Sequence, residues 1–284
     1  MAVLTQALRF GRSLFGGLPR APQPIRDARR PFATQRTTDV ERYYEEMTPA
    51  YLSGFGEVFQ GSRPESTEEL LGYIAEAADL REGMRVLDAG CGVCGPATWF
   101  ARHRGAEVEG LTVSPLQVVE ATRRIAEEGL SGSVTVRAGD FHALDRLYPK
   151  DSFDRVLFLE SLCHAEDYRR VLEGARAVLK AGGALYIKDF YAVDYRAWPE
   201  RLAAQAADLH RLNSLYRLAV PDLASLVDLV GELGLTILYM RSPAFEPTYR
   251  QWAEYERHAG RSWNPQSGAP GEVIQGIELF CRRA

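Results

Sequence analysis

The chain has 284 residues, 46% of them hydrophobic and 25% charged, with a formal net charge of −4. That balance suits a soluble protein with one α/β domain and additions, and it disfavours nucleic acid as a general polyanionic partner. No apolar run approaches the ~18 residues that cross a bilayer, so stable membrane insertion is not expected, and four scattered cysteines are too few for a disulfide scaffold.

Residues 1–36 carry seven arginines and a single acid, Asp27, with Leu4, Leu8, Phe15 and Leu18 able to line one side of a helix. This composition is similar to that of a mitochondrial transit peptide, and the competing reading, which the scarcity of lysine favours, is a disordered extension. Pro19, Pro22, Pro24 and Pro31 argue against a stable fold over 19–36. We therefore read 1–37 as a basic, flexible leader. The expected compartment is the reducing cytoplasm, or the mitochondrion if the leader is a transit peptide.

The character changes at Thr38. Tyr43, Tyr44, Met47 and Tyr51 recur at helical spacing, and an aromatic stretch from Phe55 to Gly61 follows. On the pattern alone these aromatics are ordinary core. A helix is predicted over 67–80, with Gly83 suited to its end.

Strands are then predicted near 85–89, 107–112, 133–137, 154–160, 183–189 and 235–241, with helices near 95–104, 115–128, 166–180, 196–217 and 221–233. Alternation of this kind implies a mostly parallel sheet with helices on both faces. The run 273–280 fits a closing edge strand. Residues 191–220 and 243–272 are extra to the minimal fold and read as lid segments, the second carrying Phe245, Tyr249, Trp252, Tyr255 and Trp263.

The most informative stretch is Val86-Leu87-Asp88-Ala89-Gly90-Cys91-Gly92-Val93-Cys94-Gly95-Pro96. An apolar strand ends in an acid, a glycine-rich turn follows, and a helix begins. Glycines admit a ligand that a Cβ would exclude, and the free N–H groups of the helix start attract an anionic end. Asp88 attracts a cationic amine. A ligand bearing both an α-amino and an α-carboxylate group suits the pair. Glycines at 90, 92 and 95 also satisfy the dinucleotide spacing, so the turn alone does not decide. Cys91 and Cys94 form a C-x-x-C; a redox pair or half a zinc site competes there with small fillers of the turn.

Further on, Thr112-Val113-Ser114-Pro115-Leu116-Gln117 reads as a capping box: serine caps, proline stands at N1, glutamine returns to the cap. Gly139-Asp140-Phe141 follows the third strand, where Asp serves a turn or cap. The fourth strand runs into Glu160-Ser161-Leu162-Cys163-His164. Ligands of open α/β sheets bind at the carboxyl ends of strands, so Glu160 and His164 face any such ligand.

Together these segments resemble the class I S-adenosylmethionine-dependent methyltransferases, and most closely the branch with sterol and prenyl-diphosphate C-methyltransferases. The resemblance implies a Rossmann-like seven-stranded sheet, an N-terminal helical cover over 38–66 and an S-adenosylmethionine-binding domain over 67–284. It implies that Asp88, Gly90, Gly92, Thr112 and Gln117 hold the cofactor, with Asp140 at the adenine amino group and Phe141 against the ring. Thr112 stands where most of the broad class has an acid.

The resemblance further implies C-methylation of an isoprenoid alkene, with Glu160 and His164 catalytic. Attack by an alkene leaves a carbocation, which a carboxylate stabilises or deprotonates and aromatic faces stabilise further. The aromatic candidates are Tyr43, Tyr44, Tyr51, Phe55, Tyr191, Trp198, Tyr216 and Trp252, with Tyr44, Tyr51, Tyr191 and Trp198 placed at the substrate. A diphosphate substrate would need arginines, here Arg42, Arg63, Arg211, Arg217, Arg250 and Arg257, and Mg²⁺. The competing expectation is an N- or O-methyltransferase of a small natural product. Homo-oligomerisation is left open.

Overall fold

The computed structural model describes residues 36–284, so the leader read at 1–37 falls outside the described residues except for its last two positions. The described chain opens with α1 (Thr37–Phe55) and α2 (Thr67–Ala77). Ser66 starts α2: its Oγ accepts the Glu69 N–H at 3.2 Å, and Glu68 and Glu69 complement the helix dipole.

Strands and helices then alternate as β1 (Arg85–Ala89), α3 (Gly95–Arg104), β2 (Glu107–Thr112), α4 (Pro115–Glu127), β3 (Val134–Ala138), the single turn α5 (Leu144–Leu147), β4 (Phe153–Leu159), α6 (Tyr168–Val178) and β5 (Leu179–Ala192). After them come α7 (Pro199–Tyr216), α8 (Leu223–Glu232), β6 (Leu235–Arg241), α9 (Arg250–Ala259), the short α10 (Pro270–Val273) and β7 (Ile274–Arg283).

The seven strands form one sheet in the order β3-β2-β1-β4-β5-β7-β6. The first five run parallel; β7 is antiparallel to both β5 and β6. This is the Rossmann-like sheet expected from the sequence, with one correction. The run at 273–280 does not close the sheet. It lies between β5 and β6, and β6 forms the edge.

Side chains alternate across the sheet with the period of two that a strand imposes. Val86 and Leu157 pack with Leu70, Ile74, Phe100 and Ile125 on one face. Leu87 and Phe158 pack with Val171, Leu172, Leu226 and Val230 on the other. Each such side chain, fully buried, contributes about 1.5–3 kcal/mol. The strand order reverses between the parallel strands β1 and β4, stepping outward both ways. That switch point opens a crevice beyond the strand ends.

Candidate active site

A cleft of ≈ 780 Å³, counted to its open mouth, occupies this crevice. Four strand-end segments build its floor, and α1 with residues 59–60 covers it.

The first segment follows β1. Gly90 sits at φ +101°, and a Cβ there would lie 2.3 Å from Ser161 Cβ, so only glycine lets the two strand ends approach this closely. The N–H groups of Gly90 and Cys91 donate to Leu111 O at 2.8 and 3.0 Å, which tightens the turn. Asp88 is 1% exposed, lines the cleft, and neither carboxylate oxygen has a hydrogen-bond partner. Burial raises its pKa to about 7. Cys91 and Cys94 are buried free thiols packed beneath the turn against Gly110, and among the described residues no group of three or more His, Cys, Asp or Glu side chains is arranged to hold a metal ion.

The second segment follows β2. Ser114 caps α4, accepting the Gln117 N–H at 3.1 Å, with Pro115 at the first turn. The Gln117 side chain does not make the return bond of a capping box. Its Oε1 accepts from Thr112 Oγ1 at 2.6 Å and its Nε2 donates to Thr48 Oγ1 at 3.2 Å. Tertiary contact with α1 has outcompeted the local cap.

The third segment follows β3. Asp140 accepts from the His142 N–H at 2.8 Å and from Thr37 Oγ1 at 2.9 Å, and its Oδ1 lies 2.6 Å from His142 Nδ1. Burial pushes this carboxyl up, but the hydrogen bonds from His142 and Thr37 outweigh it and hold the pKa below the usual range. Phe141 lines the cleft beside it.

The fourth segment follows β4. Glu160 adopts φ +54°, a strained conformation for a side-chain-bearing residue. Its carboxylate accepts Gly61 N–H at 2.6 Å, Ser62 N–H at 3.0 Å and Lys188 Nζ at 2.6 Å. Lys188, inside β5 and paired with Leu159 at the end of β4, also donates to Gln60 Oε1 at 2.9 Å and Ser62 O at 2.6 Å. The pair therefore clamps the cover segment to the strand ends. His164 closes this side: its Nδ1 lies 2.6 Å from Arg217 O and its Nε2 2.8 Å from Tyr44 Oη. A carbonyl only accepts, so Nδ1 carries the proton and Nε2 accepts from Tyr44. Burial lowers the His164 pKa to about 4, leaving the ring neutral at physiological pH.

All the residues expected at the cofactor and the reaction centre line this cleft: Asp88, Gly90, Gly92, Thr112, Gln117, Asp140, Phe141, Glu160 and His164. Of the four expected at the substrate, Tyr44 alone does so. Tyr51 packs into an aromatic block, its ring 4.3 Å from that of Tyr255. Tyr191 lies in the core on the α6 side of the sheet. Trp198 is 59% exposed, ahead of α7. None of the six candidate arginines lines the cleft. Arg63 is buried on Val58 O and Thr67, and Arg250 pairs with Glu65.

Sequence reasoning did not single out Lys188, Thr37, Thr48 or Phe59. Lys188 carried a signal: it is one of three lysines in an arginine-rich chain and ends an apolar strand. Phe59 belongs to the aromatic stretch after α1 noted in the sequence, while Thr37 and Thr48 are unremarkable there and gain their place through packing of α1.

Comparison with known proteins now bears on this geometry. A family model described as a methyltransferase domain matches residues 87–187. Over these residues the chain carries a methyltransferase domain. It is 34% identical over 179 residues to the sterol 24-C-methyltransferase erg6 of Aspergillus fumigatus, covering 61% of this chain and 46% of that protein. It is 40% identical over 125 residues to the methyltransferase GfsG of Streptomyces halstedii, covering 44% of each. The matched stretch thus spans less than half the length of these curated relatives.

Among solved structures, the [4+2]-cyclase SpnF superposes with a TM-score of 0.70 at 22% identity, over 88% of this chain and 96% of that one. A geranyl diphosphate C-methyltransferase from Streptomyces coelicolor, solved with Mg²⁺, geranyl diphosphate and S-adenosyl-L-homocysteine, gives 0.67 at 16% identity, over 87% and 97%. At such identities the likeness is one of fold. The sheet has the Rossmann-like methyltransferase fold, while the curated relatives point to the sterol-type branch.

Proposed function

We propose that the protein is an S-adenosylmethionine-dependent C-methyltransferase acting on an alkene carbon of an isoprenoid small molecule. One observation carries the cofactor assignment. Asp88 is a buried carboxylate with two unpartnered oxygens, set beside a glycine turn where a Cβ would clash. A buried polar group without a partner is costly, and an α-ammonium group would complete it. Opposite, the Asp140 and Phe141 side chains border the space for an adenine, and Thr112 and Gln117 that for a ribose. The residues fit the donor from end to end.

When bound, the donor supplies an electrophilic methyl carbon on a sulfonium. The protein's part is to orient the acceptor and hold the charge that appears on it. Of the pair, Glu160 lines the cleft and Lys188 does not, so the acidic partner is the one that borders the acceptor's space. Its negative charge stabilises positive charge developing on the acceptor. Residues 38–66 serve as the cover, and α7 and α9 as the lid of the acceptor side. An isoprenoid acceptor is supported by the sterol 24-C-methyltransferase relatives; Mg²⁺ enters only if the acceptor is a diphosphate.

A second reading, O- or N-methyl transfer to a small natural product, is favoured by one feature. His164 turns its Nε2 to the Tyr44 hydroxyl at the cleft wall, the geometry in which an imidazole takes a proton from a hydroxyl. The test is methyl-labelled S-adenosylmethionine against prenyl diphosphates of several lengths, sterols, quinone precursors and aromatic amines, each with and without Mg²⁺. Label on an isoprenoid carbon supports the first reading, and label on oxygen or nitrogen the second. Absence of S-adenosylhomocysteine binding by calorimetry would sink both.

A further inference from the structure

Methyl transfer to a carbon or a hydroxyl releases a proton, and something in the cleft must take it. Glu160 is a poor recipient in this structure. A proton on its carboxylate would leave the Lys188 ammonium, 1% exposed, buried without its counter-ion, which is the costly way to break a buried pair. It would also weaken the hold on the Gly61 and Ser62 N–H groups that fixes the cover segment.

Asp88, Asp140 and His142 also line the cleft but belong to the segments assigned to the donor; beside Glu160, the basic atom on the acceptor side is His164 Nε2. Its lone pair is aimed, because Arg217 O holds the proton on Nδ1 at 2.6 Å. The group placed on that lone pair is the Tyr44 hydroxyl, at 2.8 Å. Tyr44 and His164 both line the cleft. The Tyr44 ring is held edge-on between those of Tyr43, at 5.1 Å, and His164, at 5.3 Å, so its hydroxyl has little freedom to swing away.

We infer that Tyr44 is a catalytic residue that passes the acceptor's proton to His164. The inference rests on the methyl-transfer reading but holds for a carbon or an oxygen acceptor. The acceptor's electron pair forms the new bond to the methyl carbon, and the carbon–sulfur pair stays on sulfur, so the positive charge moves to the acceptor. The acceptor then loses its proton to Tyr44 Oη as Tyr44's own proton passes to His164 Nε2. The bond left by the departing proton supplies the electrons that neutralise the acceptor. The charge ends on the imidazolium, whose Nδ1–H stays on Arg217 O. Glu160 remains ionised throughout and keeps the cover segment in place.

The test uses the full chain with ¹⁵N-labelled histidine. At neutral pH the His164 signals should show a protonated Nδ1 and a bare, hydrogen-bonded Nε2, and the Nε2 signal should move in Tyr44→Phe. An Nε2–H tautomer, or a signal indifferent to Tyr44→Phe, overturns the relay without any acceptor being needed. With an acceptor that takes label in the panel above, Tyr44→Phe and His164→Gln should each slow single-turnover transfer by about 10²-fold or more. The double variant should be no slower than the worse single. The wild-type solvent deuterium isotope effect should vanish in Tyr44→Phe. Losses that multiply, or an isotope effect that persists, overturn the proposal. S-adenosylhomocysteine should bind all variants as it binds wild type. Failure to bind even wild type removes the methyl-transfer reading, whereas binding together with a wrong tautomer removes the relay alone.

Discussion

Lys188 Nζ lies 2.6 Å from Glu160 Oε1, with the two side chains 1% and 5% exposed. Glu160 follows the end of β4 and Lys188 lies beside it in the adjacent parallel strand β5, and between them they engage Gln60, Gly61 and Ser62. Removing one partner of such a pair leaves a buried charge uncompensated, at a cost of about 3–5 kcal/mol. Lys188→Met should show a loss of that size in urea denaturation. The double variant Lys188→Met/Glu160→Gln should recover part of it, since neither charge then remains. A Lys188→Met protein as stable as wild type would mean the clamp contributes nothing.

Asp88 makes the ligand-free protein and its cofactor affinity depend on pH in opposite directions. Its folded pKa, about 7, stands above the unfolded value near 4. Between those limits the folded state holds a proton that the unfolded state has lost, so this group's contribution to stability falls as pH rises from about 4 to about 7. Asp189, also raised to about 7 by burial, acts in the same direction. Binding an ammonium group requires the ionised form of Asp88. Affinity for S-adenosylhomocysteine should therefore weaken about tenfold per pH unit below 7, with proton release on binding. Calorimetry in two buffers of different ionisation heat reads that release directly. Asp88→Asn should abolish it and weaken binding at neutral pH.

Gly90→Ala tests whether the turn after β1 tolerates any side chain. At φ +101° an alanine is strained by about 1–3 kcal/mol. Its Cβ would also stand 2.3 Å from Ser161 Cβ and 2.8 Å from Ser161 Oγ, the hydroxyl that donates to Ala89 O at 2.6 Å. The variant should lose both stability and S-adenosylhomocysteine binding. Gly260, at φ +62° beyond α9 with nothing within 4 Å of an added Cβ, is the control. Gly260→Ala should cost about 1–2 kcal/mol and leave binding intact.

What the sequence reveals here follows from which forces are local. Strand positions are legible because apolar alternation and glycine punctuation are written into each segment. Asp88 and Glu160 stand out because a carboxylate at the end of an apolar strand is costly to bury unless a cation or a hydrogen-bond donor meets it. The acceptor side is different. Tyr44 and Tyr51 sit two turns apart on one helical stripe and look equivalent. Tyr51 is claimed by Tyr255 from α9, while Tyr44 is left to His164. Both partners come from distant parts of the chain, so no local pattern separates the two tyrosines. Gln117 shows the same effect: its spacing from Ser114 predicts a reciprocal cap, and Thr48 of α1 takes the side chain instead.

Tyr191 and Trp198 test that separation from the other side. Tyr191 lies near the end of β5 and Trp198 just ahead of α7, and neither lines the cleft. The Tyr191 hydroxyl is buried with no hydrogen-bond partner, and burial raises its pKa well above that of an ordinary phenol. An unsatisfied buried hydroxyl costs about 1–3 kcal/mol, whereas an apolar group of the same shape does not. Tyr191→Phe should therefore stabilise the protein, by up to that amount, in urea denaturation. Trp198, 59% exposed, has little packing to lose beyond an edge contact with Tyr195, and Trp198→Ser should stay within about 0.5 kcal/mol of wild type. Transfer of labelled methyl should be unchanged in both. A large fall in transfer for Tyr191→Phe would place the acceptor where the sheet core now stands, and would require β5 and its neighbours to open during turnover.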